Sequence, residues 1–264
     1  MPAVQTIGRK INREGVVLLG WGRAVLLQLS HPLVAAGVSD YSHFDQNARG
    51  FVRRVRRTVG GMLAITFGTP EVAQEVIGRI NRIHDQVNGS LRQEVGVFPA
   101  GTPYSARDPQ LLLWVHATLV ESMVLTYERL VSPLSVSEKD AFCAEAAGTA
   151  HLLGVPLDQI PMRFADLEAY IQGMYSSGQI VVSDDARRLA AALLSPPLGP
   201  ASGPLSRLTR LVTVGLLPRH IRQGYAFSWD RRRDRAFRTL VSLIRRARWL
   251  LPSMLREWPA ARAA

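Results

Sequence analysis

The sequence predicts an all-α protein, a single multi-helix domain over residues 1–264, on three observations. Hydrophobic residues make up 47% of the chain, enough to bury a sizeable core. Helix-start and helix-stop signals recur along its length. No stretch alternates apolar and polar residues with a period of two for the length of a strand.

Taken in order, the first element is GVVLLGWGRAVLLQLSHPLVAAGV, residues 15–38, apolar enough to suggest a membrane span or a signal peptide. Arg23, Gln28 and His31 interrupt it, and Pro32 breaks a helix at its centre. A buried pair of helices is therefore expected. Thr69-Pro70 caps and opens a helix predicted to run to Gly89. Asp108-Pro109 opens another that continues to about Leu130, where Ser132-Pro133 stops it. Ser135-x-x-Glu138 is a capping box, and its helix carries Cys143 and His151 to Gly154. Ser183 or Asp184 caps the next. SPPLGPASGP, residues 195–204, is a loop by composition and a candidate hinge. A basic helical segment fills residues 205–264.

Composition narrows the chemistry. The single cysteine, Cys143, excludes an internal disulfide framework and a cysteine-based zinc site, and favours a reducing compartment. A cytoplasmic location follows as the expectation, peripheral to a membrane if the tail binds one. From Leu205 onward there are 14 arginines against Asp230, Asp234 and Glu257, which is the whole of the chain's net charge of +11. The tail is thus the expected electrostatic asymmetry. GWGRAV at Gly20 has Val25 where a dinucleotide fingerprint needs its third glycine, so its glycines are read as sites of close helix packing. There is no nucleophile elbow, no P-loop and no His-Glu-x-x-His. A di-iron bundle needs paired Glu-x-x-His motifs, and none exists.

LLLWVHATLVESM, residues 111–123, places His116 among Leu112, Leu113, Leu119, Val120 and Met123 at helical spacing, with Glu121 and Glu128 on the other side. Two readings stay open from the residues alone. One is a core histidine bonded to a backbone carbonyl or to Tyr127. The other is an axial ligand to haem iron, whose macrocycle suits an apolar wall. In that case the second ring nitrogen is expected to donate to the Leu112 carbonyl and fix the tautomer.

The surrounding words add to this. DPQLLLWVHATLVESMVLTYERLVSPLSVSEKD resembles the signature helix of the mpaB / rubber oxygenase (latex clearing protein) catalytic-domain family, formerly a domain of unknown function. LLQLSHPLVAAGVSDYSHF, LAITFGTPEVA, RIHDQVNG, GTPYSARDP and RDRAFRTLVSLIRRARWLLP are similar to the family's other blocks in the same order, so the resemblance covers nearly the whole chain. It implies an all-helical fold, globin-like in general style, and an oxidoreductase that uses dioxygen on a lipophilic, alkene-containing substrate. In the latex clearing members it implies a haem b, whose axial histidine lies in an Arg-Leu-Val-His-Ala block. Val115-His116-Ala117 matches that block, so the resemblance makes His116 the axial ligand to the haem iron. The family's distal Arg-x-x-Lys-Thr is met here by Arg82-Ile83-His84-Asp85, without a lysine, and Lys10 and Lys139 are not credible substitutes.

His84 is then the candidate for the open side of the iron, as a hydrogen-bonding or acid–base group; the alternative is a half-exposed histidine paired with Asp85. His31 either lines the cofactor pocket or satisfies carbonyls freed by Pro32. Arg23 and Arg82 are candidates for the haem propionates, and Tyr41, Tyr104 and Tyr127 for the pocket wall. In the tail, Leu240, Val241, Ile244 and Leu251 form an apolar stripe among arginines. Such a helix caps the core, or it lies on an anionic membrane surface with Trp249 and Trp258 at the interface. Nucleic-acid binding ranks last, for want of a reading motif. The alternative to a haem oxygenase is a cofactor-free helical protein that binds lipid or a membrane surface.

Overall fold

The computed structural model describes residues 6–41, 48–195 and 203–263. Thr6 accepts from the Arg9 amide and opens α1, Ile7–Asn12. A 3₁₀ turn over Gly15–Gly20 leads directly into α2, Trp21–Leu29. Pro32 does what its ring dictates: α3, Pro32–Tyr41, starts afresh, and the two apolar segments meet at 106°. Among the described residues no single helix is long and apolar enough to cross a membrane. The expected buried helix pair is what forms.

The basic helix α4 spans Ala48–Phe67, and α5 spans Pro70–His84 under the Thr69 cap. The helix predicted to reach Gly89 stops short at Asp85, because Asn88–Ser90 (β1) leaves to pair with Pro103–Ser105 (β2) in an antiparallel hairpin. Each strand has only three residues, too few for a period of two to show in the sequence. Gly89 is required there, since a Cβ on it would lie 2.4 Å from the Tyr104 hydroxyl.

The central element is α6, Pro109–Leu130, capped by Asp108 through the Gln110 amide. Its 13 buried residues surround the whole helix rather than one stripe, as befits a helix packed on all sides. Trp114 is fully buried, and its indole N–H donates to the Leu27 carbonyl at 3.2 Å, so the largest core side chain carries no unmade hydrogen bond. α7, Val136–Leu153, begins with the expected capping box and ends at Gly154, whose φ of +118° suits only glycine. α8 covers Phe164–Ser176, and α9 covers Asp184–Leu194 under the Ser183 cap. The proposed hinge, residues 195–204, lies almost wholly outside the described residues, as does His43.

Beyond it come α10 (Gly203–Leu216), α11 (Arg219–Gly224), α12 (Arg231–Leu250, capped by Asp230), α13 (Ser253–Arg256) and α14 (Pro259–Ala263). One core cluster joins α6 to α1, α7 and α8, and another joins α2 to α9, α10 and α11. The glycines of GWG act as read. A Cβ on Gly20 would meet Thr126 Oγ1 at 2.1 Å, and one on Gly22 would meet Thr213 Oγ1 at 2.4 Å. They let the start of α2 approach α6 and α10.

Candidate functional site

A cavity of about 600 Å³ opens between α3, α4, the end of α5, the hairpin and the first turns of α6. Its floor is apolar. Leu33, Val34 and Val38 come from α3, and Leu111, Leu112 and Val115 from α6, one face of each helix. Gln28 closes the inner end and donates to the Val115 carbonyl at 3.3 Å.

The hairpin side is polar and rigid. Tyr104 and Tyr41 both line the cavity. Tyr104 donates to Asp40 at 2.6 Å and Tyr41 to the Asn88 carbonyl at 2.7 Å. Burial, then the Asp40 carboxylate, raises the Tyr104 pKa far above the phenol range, so it stays a neutral donor. Tyr127, the third tyrosine considered, belongs instead to the core cluster with α1 and α7.

The mouth is cationic, which the sequence reading missed. Arg49, Arg53, Arg54, Arg56 and Arg57 crowd the first half of α4, and no acid occurs between residues 48 and 67. This is a second basic element, hidden because acids elsewhere balance the first 204 residues. Arg53, Arg54 and Arg57 line the cavity. Desolvation, then the neighbouring Arg57 guanidinium, lowers the Arg54 pKa, as expected where cations crowd a low-dielectric opening.

His84 lines the cavity, and its Nδ1 is buried without a hydrogen-bond partner. The pairing with Asp85 does not form. Arg107 takes that carboxylate through its Nε at 2.7 Å and Asn81 Oδ1 through Nη1 at 2.9 Å. Burial, then Arg107, lowers the His84 pKa, against a smaller opposing effect of Asp85. The ring is therefore neutral at pH 7 with an unused nitrogen.

His116 is the other such histidine. Its Nε2 is buried without a partner, and burial lowers its pKa to about 4. Among the described residues the ring bonds neither to Tyr127, the partner of the core reading, nor to the Leu112 carbonyl, the partner expected of the ligand reading. It is not itself a lining residue. At 100° per residue it lies roughly 40° around α6 from Leu112, just beyond the cavity wall. Buried polar atoms are nearly always bonded, so two neutral imidazoles with unmade bonds in this one region are unusual.

The remaining candidates are corrected by their surroundings. His31 is fully enclosed and away from the cavity. Its Nδ1 accepts from the Leu33 amide at 3.3 Å and its ring packs on Phe98, so it caps the first turn of α3 instead of serving freed carbonyls or a cofactor. Arg23, only 3% exposed, donates through Nη2 to Glu121 at 2.8 Å, through Nη1 to Glu121 and Ser122, and through Nε to the Leu216 carbonyl at 2.8 Å. That buried ion pair leaves it no role at a propionate. It also shows that the side of α6 opposite His116 is not a solvent face. Arg82 is exposed on α5 and is not among the cavity's lining residues. Lys10 and Lys139 are tied to Glu138 and Glu128. Among the described residues no three metal-ligating side chains cluster.

The arrangement suits a ligand with an apolar body, an anionic edge and an atom that accepts an imidazole lone pair. Two uncharacterised proteins, one from Mycobacterium bovis and one from Mycobacterium tuberculosis, are each 29% identical to this chain over 238 residues, covering 89% of both partners. No solved structure matches the chain. A family model described as "ER-bound oxygenase mpaB/B'/Rubber oxygenase, catalytic domain" matches residues 8–246, which takes in α6 and every wall of the cavity. The chain therefore belongs to the mpaB/rubber oxygenase catalytic-domain family.

Proposed function

We propose that this protein is a haem b-dependent oxygenase that acts with dioxygen on a lipophilic substrate, and that His116 holds the haem iron. The observation that carries the reading is the buried, unpartnered Nε2 of a histidine kept neutral by its surroundings. Iron needs such a lone pair, and at pH 7 no proton has to leave before it binds. The lining of the cavity next to His116 suits the group, with His116 itself set just behind that wall. The apolar faces of α3 and α6 suit a flat macrocycle, and Arg53, Arg54 and Arg57 at the mouth suit carboxylates.

Haem, when bound, would supply the dioxygen chemistry. The chain's own residues would set its conditions. Leu33, Val38 and Val115 exclude water and offer a lipophilic substrate a matching surface. Neutral His84 can donate or accept a proton at a ring nitrogen from within the cavity. Tyr104, held by Asp40, gives the hairpin wall a fixed position.

The test is spectroscopic. The chain is expressed with full haem supply, and oxidised and reduced visible spectra are recorded for the native protein, His116→Ala and His84→Ala. Stoichiometric haem with a Soret band is expected in the native chain and in His84→Ala, and loss of both in a folded His116→Ala. A folded but colourless native protein would sink the proposal. The cofactor-free, lipid-binding reading would then take its place, favoured by the apolar residues exposed at the end of α12.

A further inference from the structure

The C-terminal segment is fastened at two points, with an apolar excursion held out between them. Arg248, near the end of α12, donates to buried Glu14 through Nε at 2.9 Å and Nη2 at 2.6 Å. Nine residues on, buried Glu257 accepts from Arg13 at 2.6 Å and pairs with Arg256, while the Trp258 amide donates to the Arg13 carbonyl at 3.1 Å. Glu14 and Glu257 also face each other as an antiparallel bridge. Between the fastenings the exposures are 71% for Trp249, 86% for Leu250, 69% for Met254 and 71% for Leu255. Leu251 and, about two turns back, Leu243 are exposed as well.

Isolated exposed apolar residues need no explanation, but a contiguous group does. This group cannot fold back onto the core, because both ends are pinned by ion pairs with buried carboxylates. Trp258, expected at the interface, is only half-exposed and stacks over Gly15; it belongs to the fastening. The charge around the loop selects what covers it. Arg245 and Arg246 are exposed one turn before Trp249, and no acidic residue occurs from Arg235 to Arg256. A second copy docking by two-fold symmetry would set these arginines against themselves. A surface with an apolar interior and anionic head groups meets both demands, with tryptophan at the boundary.

We infer that the loop Trp249–Leu255 is a membrane-docking element, inserted between the head groups of an anionic bilayer leaflet with Arg245 and Arg246 against the lipid phosphates. It refines the lipid-surface expectation for the tail: the contact is the apolar corner where the last residues of α12 turn into α13, and the rest of the α12 stripe is not the inserted face. The inference does not rest on haem.

The full chain is mixed with vesicles of phosphatidylcholine, with or without phosphatidylglycerol, and binding is read by co-sedimentation and by quenching of tryptophan fluorescence by acyl-chain-brominated lipid. Binding to the anionic vesicles is expected, with quenching that falls sharply in Trp249→Phe. Leu250→Ser/Leu255→Ser should weaken binding by about tenfold or more. Arg245→Gln/Arg246→Gln should remove the preference for phosphatidylglycerol, and high salt should do the same to the native chain. All of these side chains are exposed, so an unchanged helical circular dichroism is expected, and the quenching of the native chain needs no variant. Absence of binding to anionic vesicles would overturn the inference, as would a leucine variant that binds like the native chain. A native chain that instead self-associates through the loop, with the leucine variant monomeric, would also overturn it. Haem-free and haem-loaded protein should bind alike, so a failure here is distinct from a failure of the spectra.

Discussion

At the scale of single residues, the three histidines with buried ring nitrogens, His31, His84 and His116, divide by whether those nitrogens are used. His31 is employed: burial, opposed by a hydrogen bond with Gln179, lowers its pKa from 6.5 to about 4. The unfolded chain then binds the proton more readily, so stability rises with pH across that interval. The drop corresponds to about 3 kcal/mol, present above pH 6.5 and lost as the pH falls to 4. His31→Asn keeps an acceptor for the Leu33 amide and removes the titration. Urea unfolding at pH 7 and pH 4.5 should show a smaller fall in stability for the variant than for the native chain, and an equal fall would assign the loss elsewhere. The apolar setting of His116 was legible in its neighbours at helical spacing. The burial of Arg23 was not. An arginine inside an apolar run carries no mark of its partner, and Glu121, 98 positions away, reads as a solvent-side acid until the packing around α6 is seen.

At the scale of elements, what local chemistry determines was readable. Asp108, Ser135, Gly154 and Ser183 each cap the helix end predicted for them. The end of α5 was misplaced because a three-residue strand competes with helix there through the pairing Gly89 to Tyr104, a long-range contact with no local signal. The packing glycines were readable as a class, though not their partners. Gly22→Ala drives a methyl group into Thr213 and should destabilise by about 2 kcal/mol. Thr213→Ala removes the atoms nearest the new methyl, leaving the Thr213 Cβ position at 3.2 Å. The double variant should therefore lose at least about 1 kcal/mol less than the sum of the singles. Additive losses in thermal unfolding would mean that the α2–α10 approach is not what the glycine serves.

At the scale of the whole molecule, two basic regions lie in different places: α4 at the cavity mouth and the tail at its fastened loop. Net charge alone merged them, since the first 204 residues sum to zero while α4 remains strongly basic within them. The fastening itself is a buried ion network, and removing one carboxylate leaves cations uncompensated, a loss of about 3 kcal/mol or more where burial is complete. Glu257→Ala should therefore loosen residues 249–263 before the rest unfolds. Limited proteolysis is expected to cut there first, with the α6 core intact. Unchanged cleavage would show the loop to be held by packing alone.

The same fastening sets an order of events during synthesis. Glu14 is made 234 positions before its partner Arg248, and Arg13 likewise long before the Trp258 amide that bonds to it. Until then the early carboxylate must stay hydrated, so the segment around α1 cannot adopt its final burial on a nascent chain still emerging from the ribosome. The two sides of the fastening meet only after Arg248 and Trp258 have been made.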